Sequence, residues 1–463
     1  MARPNLITQQ TLTPLIRLHG PVSATDLAAA LRVNRTTIVR GLANFGNELV
    51  TLGAARNTRY ALRRPVGNAG NRWPIYRIDE TGQSQPWAEV EALYERRWRI
   101  TWASAPPAWA HHCSDREGMW QGYPFFLVEG RPQGFLGGIV ARQLAQRFPL
   151  PQDPRTWNDD HTMLYLQAAG EDLPGALVVG DDCLRRAMQL SLYPSNQTTV
   201  QEDDCPTRYV EMAQGVAGTL PGSSAGGEQP KFLTTVMNTE GASHPVLVKF
   251  SPPMNQATGQ RWADLLLCEF HAQAVLSAHS QALPGARIID AGDRRFLEVP
   301  RFDRHGIRGR RNVISLGGIY YPSGGSTDHA WPTAIRELEQ AGLVDALEVQ
   351  TTLRLHAFGE LIGNTDMHNG NLAFWMEDTL PFRVAPVYDM LPMLWAPGPQ
   401  GEISPRQFAP APPLPSVRIL WQEAVGWALE FWTRVLHDPR LSPEFQILAR
   451  AAQQTVLHLQ THA

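Results

Sequence analysis

An apolar β run with a lysine set inside it, Val246-Leu247-Val248-Lys249-Phe250, constrains this chain more than any other segment. A cation in such a run must either meet an anion or reach solvent from a sheet edge. Of the 41 basic residues only two, Lys231 and Lys249, are lysines, so the chain meets nearly all demand for surface positive charge with arginine. That bias favours an anionic partner for Lys249 over an edge lysine reaching water. Glu269, in the helical stretch 262–276, is the candidate partner, although a helix-surface glutamate needs no function at all. Lys231 closes a run of small residues, Gly222-Ser223-Ser224-Ala225-Gly226-Gly227-Glu228-Gln229-Pro230. Backbone N–H groups of such a loop can approach phosphate oxygens, and a terminal lysine adds a point charge. It is not a Walker A loop, and taken alone it reads more often as a surface turn.

Two further motifs follow in order. Gly363-Asn364-Thr365-Asp366-Met367-His368-Asn369-Gly370-Asn371 comes after a helix-periodic stretch (Leu353, Ala357, Leu361) and before the β-like run 372–375. Phosphoryl-transfer loops carry an aspartate that receives the acceptor hydroxyl proton and, five residues on, an asparagine that binds Mg²⁺. Asp366 and Asn371 have that spacing. Val384-Ala385-Pro386-Val387-Tyr388-Asp389-Met390 then brings out a carboxylate where a second metal ligand belongs. Asn/Asp/Gly runs are common in ordinary turns, but a turn has no need of this offset or of the motif that follows it.

The remaining composition narrows the class. At 463 residues and 43% hydrophobic content, two or three domains are expected. No run of about 18 uncharged apolar residues is present and residues 1–30 lack a signal-peptide pattern, so a cytoplasmic location is expected. Cys113, Cys183, Cys205 and Cys268 form no CxxC pair, and no chemistry is assigned to them. A metal at His111-His112-Cys113 is disfavoured, because adjacent residues do not easily face one ion.

Residues 1–65 hold nine arginines against Asp26 and Glu48, a basic head on a chain of net charge −3. The stretch 11–20 reads as a first helix stopped by Gly20-Pro21. Ser23 then caps a second helix with Leu27, Ala30 and Leu31 on its apolar face, and Asn34 caps a third running to about Phe45, with Ile38 and Leu42 inward. Arg35, Thr36, Thr37 and Arg40 are left outward, as on a recognition helix, and the β runs 49–52 and 59–62, joined by a turn with Arg56, form a wing. DNA binding is expected of this head; a packing module with a solvated arginine face is the plainer reading. A linker is expected from Arg63 to about Asn71. Beyond it, strand-like pieces at 74–78 and 125–128 lie in a region whose aromatics read as core.

The order GGEQPK, VLVKF, EVPRFDR (298–304), GNTDMHNGN and APVYDM resembles the HipA family of serine/threonine kinases, toxins of toxin–antitoxin systems. With the winged head it is most similar to the single-chain, YjjJ-like branch, and the kinase resemblance spans about residues 120–450. Fragments 123–130 and 172–179 loosely resemble the region that precedes the HipA kinase core. The resemblance implies an α+β chain: a winged helix-turn-helix (1–65), a HipA N-terminal-like region (72–215) and a two-lobed kinase-like core (216–463) with a largely helical C-lobe. It implies Lys249 on the ATP phosphates, Asp366 as catalytic aspartate, Asn371 and Asp389 on Mg²⁺, and regulatory autophosphorylation at Ser224, with Ser223 as second choice. His368 also matches, without a role. It further implies a protein substrate, an aminoacyl-tRNA synthetase being the candidate. The chain lacks the His-Arg before Asp366 and the Phe-Gly around Asp389 of eukaryotic-type kinases. A small-molecule kinase and a transcription regulator with an inactive, nucleotide-sensing kinase fold remain open.

Overall fold

The computed structural model describes residues 7–193, 199–218, 229–320, 325–326 and 329–462. Ser223, Ser224, Gly226 and Gly227 therefore lie outside the described residues. The head comprises α1 (Gln9–His19), β1 (Val22–Ser23), α2 (Ala24–Leu31), α3 (Arg35–Leu42), β2 (Leu49–Leu52) and β3 (Arg59–Leu62), its strands ordered β1-β3-β2. Ser23 caps α2 by accepting from the Asp26 N–H. Asn34 stands at the start of α3 but makes no side-chain cap bond. Ile38, Leu42 and Leu27 are buried together, whereas Ala30, expected inward, is exposed; Ala24 and Ala28 take the inner face instead.

The hairpin does not stand free. Val50, Leu52 and Ala61 pack on Leu93 and Met119 of the following region. The expected linker is a correction as well: Arg63 donates to Glu91 at 2.5 Å, Arg64 to Asp160 at 2.8 Å, and Val66 is fully buried. Few apolar residues mark this stretch, but carboxylates contributed by later strands and helices pin it.

The middle region forms β4 (Arg72–Ile78), β5 (Ser84–Leu93), β6 (Arg97–Trp102), β7 (Met119–Gln121), α4 (Gly134–Ala145), α5 (Asp159–Ala169), β8 (Leu177–Val179) and α6 (Asp181–Leu192), with strand order β7-β6-β5-β4-β8. Residues 125–128, expected as strand, lie in a 3-10 turn, Phe125–Gly130, that wedges Phe125 and Phe126 edge-on among Trp87, Trp109 and Trp120. Short apolar runs do not distinguish a strand from a buried turn. The aromatics are core, as expected, and that core is continuous with the C-terminal helices.

A second five-stranded sheet has the order β12-β13-β11-β10-β9. Its strands are β9 (Thr199–Gln201), β10 (Lys231–Met237), β11 (Ser243–Phe250), β12 (Arg287–Ala291) and β13 (Arg294–Pro300), with α7 (Cys205–Gly218) and α8 (Ala257–Ala278) between them in the chain. Because β9 pairs with β10, this sheet begins in chain assigned above to the middle region. Small pairs β14 (Arg304–His305) with β15 (Gly309–Arg310), and β16 (Val313–Ser315) with β17 (Ala373–Trp375) and β18 (Arg383–Val384), lead into the helical part. That part is α9 (Leu316–Tyr320), α10 (Trp331–Gln340), α11 (Ala346–Ile362), α12 (Arg418–His437) and α13 (Pro443–His462).

Candidate active site

Alternation along β11 separates two environments. Val246, Val248 and Phe250 face one buried cluster with Phe232, Phe296 and Tyr209. Lys249 points to the other side, where Lys231 stands opposite it in the antiparallel register and so shares its face. The Lys249 side chain is only 3% exposed and donates to Glu269 of α8 at 2.5 Å and to Asp389. Burial opposes its charge, but Asp389 and Glu269 outweigh that effect and hold the ammonium protonated above its ordinary range. Burial pushes Glu269 upward, and its Oε2 has no partner among the described residues.

The loop after α11 is shaped by asparagines. Gly363 ends the helix in the left-handed region, φ 78°, as a C-terminal glycine does. Asn364 Oδ1 accepts from the Asp366 N–H at 3.0 Å and its Nδ2 donates to the Asp389 carbonyl at 3.2 Å, so one side chain ties the two candidate carboxylate segments. Asn371 Nδ2 donates to the Asp366 carbonyl at 2.8 Å, which commits its nitrogen and leaves Oδ1 as the acceptor. Asn369 Nδ2 donates to His329 O, and Trp331 Nε1 donates to His368 O. With Asn364, Asn369 and Asn371 buried, Asp366 and His368 are left exposed. His368 Nδ1 accepts from the Gly370 N–H at 3.0 Å, a turn-forming bond.

Asp389 adopts φ 57°, a left-handed conformation unusual for a residue with a Cβ, and its carboxylate meets Lys249. Burial raises its proton affinity, but Lys249 and Lys231 overcome this and hold it at about 2. Asp366 moves the other way: although its side chain reaches solvent, partial desolvation at its base pushes it above the ordinary aspartate value, with a further push from Asp389, while His368 and the two lysines pull against it. The two carboxylates are thus driven apart, Asp366 upward and Asp389 downward. The donor set, one carboxylate and one amide oxygen, fits a hard cation that takes one or two protein oxygens and completes its shell with phosphate and water.

Of the residues predicted from sequence, Lys249, Lys231, Glu269, Asp366, His368, Asn371 and Asp389 thus gather in one site. Arg35, Thr36, Arg40 and Arg56 are exposed on the head, with Thr37 half-buried. Sequence reasoning missed Asn364 and Tyr388, whose hydroxyl donates to Gly370 O at 2.7 Å. Asn364, two residues before Asp366, carries the Asx-turn spacing that could have found it; Tyr388 carries no such signal.

Known proteins resemble this chain over most of its length. Residues 69–188 match the model of the YjjJ-like toxin middle domain, and residues 223–416 that of the HipA-like C-terminal domain. The chain is 34% identical to Toxin YjjJ of Escherichia coli (strain K12) over 455 residues, covering 97% of this chain and 98% of that one. It belongs to the YjjJ-like family of HipA-like toxins. Among solved structures it is similar to HipA of the Shewanella oneidensis MR-1 toxin–antitoxin system, determined with HipB and operator DNA (TM-score 0.48, 14% identity, 84% of this chain and 97% of that one). It is also similar to the Helicobacter pylori proinflammatory kinase CtkA (TM-score 0.36, 12% identity, 52% and 92%).

Proposed function

We propose that the chain is an ATP- and Mg²⁺-dependent serine/threonine protein kinase of the HipA type, joined to a winged helix-turn-helix that binds DNA. The observation that carries this reading is Lys249 buried between Glu269 and Asp389, beside a loop that exposes Asp366 and buries Asn371. Phosphoryl transfer asks a protein mainly for positioning and charge neutralisation. Lys249, oriented by Glu269, clamps the ATP phosphates, and Lys231 adds a second positive charge on the same face. Asp366 orients the incoming Ser/Thr hydroxyl and takes its proton. Asn371 Oδ1 and the Asp389 carboxylate would hold Mg²⁺, which would supply neutralisation of phosphate charge. Ser224, or Ser223 beside it, is the site at which autophosphorylation inactivates the enzyme, because about −1.5 to −2 added charges would repel the nucleotide. The protein substrate is a translation component, an aminoacyl-tRNA synthetase being the candidate.

The test is incubation of purified protein with radiolabelled ATP and Mg²⁺, then separation of labelled protein from labelled small molecules. Label in protein, lost in Asp366→Asn, is expected, with peptide mapping placing the self-label at Ser224 or Ser223. Label only in small molecules would make this a metabolite kinase, and nucleotide binding without transfer would make it a nucleotide-sensing regulator.

A further inference from the structure

Two segments outside the catalytic set meet in a charge cluster that is buried at Asp303 and reaches solvent at Asp172. Asp172, in the middle region, accepts from Arg301 at 2.9 Å and from Arg304 at 2.8 Å. Asp303 accepts from Arg301 at 3.0 Å, Arg304 at 2.5 Å and the Gly175 N–H at 2.9 Å. Arg304 closes the joint by donating to Leu173 O at 2.7 Å. The Arg301, Arg304 and Asp303 side chains are 9%, 4% and 8% exposed while Asp172 is 46% exposed, so the cluster is buried around Asp303 and open to solvent at Asp172; multiply bonded arginine forks fix geometry more strictly than single contacts.

Between these residues sits Phe302. Its ring stacks on Tyr388, centroids 5.7 Å apart at 23°, and meets Trp375 edge-on at 5.7 Å. Tyr388 precedes Asp389 in the chain, and its hydroxyl donates to the carbonyl of Gly370, the residue before Asn371. Tyr388 is therefore bonded to the residue before one candidate metal ligand and adjacent in the chain to the other, and its ring leans on Phe302, whose neighbours Arg301 and Arg304 are fastened to the middle region.

We infer that the middle region positions the metal ligands: the Asp172–Arg301–Asp303–Arg304 joint sets the Phe302 ring, and Phe302 with Tyr388 sets the spacing of Asn371 and Asp389. Tyr388, Phe302 and Asp172 are positioning residues, acting through the ligands they place. This rests on the proposed kinase reading.

The test is calorimetric binding of a non-hydrolysable ATP analogue to the full chain across a Mg²⁺ titration, for the parent, Tyr388→Phe, Asp172→Asn and Asp389→Asn. Tyr388→Phe keeps the ring and removes one hydrogen bond, which should raise the half-saturating Mg²⁺ concentration about fivefold while metal-free binding stays as in the parent. Asp172→Asn should shift it in the same direction. A Mg²⁺ requirement equal to the parent's in both variants, even with lower thermal stability, overturns the inference, since the joint and ring would then be scaffold only. If Asp172→Asn does not fold, Tyr388→Phe decides alone. Asp389→Asn separates the readings: loss of the Mg²⁺ effect there, with none in the other two, sinks only this inference. No Mg²⁺ effect in the parent sinks the proposed function and this inference together.

Discussion

Lys231 and Lys249, the two lysines of the chain, stand directly opposite each other on β10 and β11. Cross-strand like charges repel, and the pair is tolerated because Glu269 and Asp389 supply two anions on the same side. A chain that otherwise uses arginine has placed its compact, strongly hydrated cations together at the proposed nucleotide site.

Replacing Lys249 should therefore act twice. In Lys249→Met the Glu269 and Asp389 carboxylates face each other with no cation between them, and removing one partner of a buried pair costs about 3–5 kcal/mol. Phosphoryl transfer should also be lost. Lys231→Met, at a half-buried position, should destabilise far less. Urea denaturation of the two variants checks this; equal stability of both would refute the buried triad as a stabilising unit.

Asp366 provides a pH signature. Its proton affinity is raised by partial desolvation and by Asp389, so the active carboxylate form is lost as pH falls through a value above the ordinary aspartate one, while Asp389 stays ionised to about 2. The acid limb of kcat/KM should therefore follow Asp366. His368 pulls that value down, so His368→Gln should move the limb to higher pH. Asp366→Asn should lower transfer by at least about 10²-fold with nucleotide binding retained. An acid limb unmoved in His368→Gln would contradict this electrostatic account.

How far the sequence reached depended on whether a feature was local. The Lys249 strand, the spacing of Asp366 and Asn371 and the Ser23 cap of the head's second helix are short-range patterns, and the structure follows them. The docking of the hairpin on Leu93 and Met119, the pinning of Arg63 and Arg64, and the pairing of β9 with β10 each need partners far along the chain. Tyr388 was passed over for the same reason. Its partner Gly370 lies 18 positions away, and its stacking partner Phe302 lies in another motif.

The charge cluster around Asp303 should govern acid stability. Burial disfavours the ionised carboxyl, yet Arg301 and Arg304 outweigh it and depress Asp303, and the same arginines depress Asp172. A depressed folded value stabilises fully above the unfolded aspartate pKa, about 3.9, and the contribution is lost as pH falls toward the folded value. Asp303→Asn should be less stable than the parent at pH 7, with the difference shrinking below about pH 4. Urea midpoints at pH 7 and pH 3 test this; a difference that grew on acidification would reverse the sign and exclude the mechanism.

The head's arginines divide into two sets. Arg63 and Arg64 are paired with Glu91 and Asp160, and Arg17 lies over the Tyr94 ring, 4.5 Å from its centroid. Arg35, Arg40 and Arg56 are exposed on α3 and the hairpin turn. Arg32 and Arg59 are exposed too; exposed arginines are the ones able to neutralise DNA phosphates, and each phosphate contact contributes about 0.9 to the slope of log affinity against log salt. Replacing Arg35, Arg40 and Arg56 with alanine should weaken duplex binding and flatten that slope by up to about 0.9 for each arginine that meets a phosphate. Arg64→Ala should leave the slope as in the parent, because its charge is already committed to Asp160. Fluorescence anisotropy with genomic duplex fragments between low and moderate salt measures both. A slope reduced by Arg64→Ala but not by the triple variant would place the DNA contact on the other side of the head.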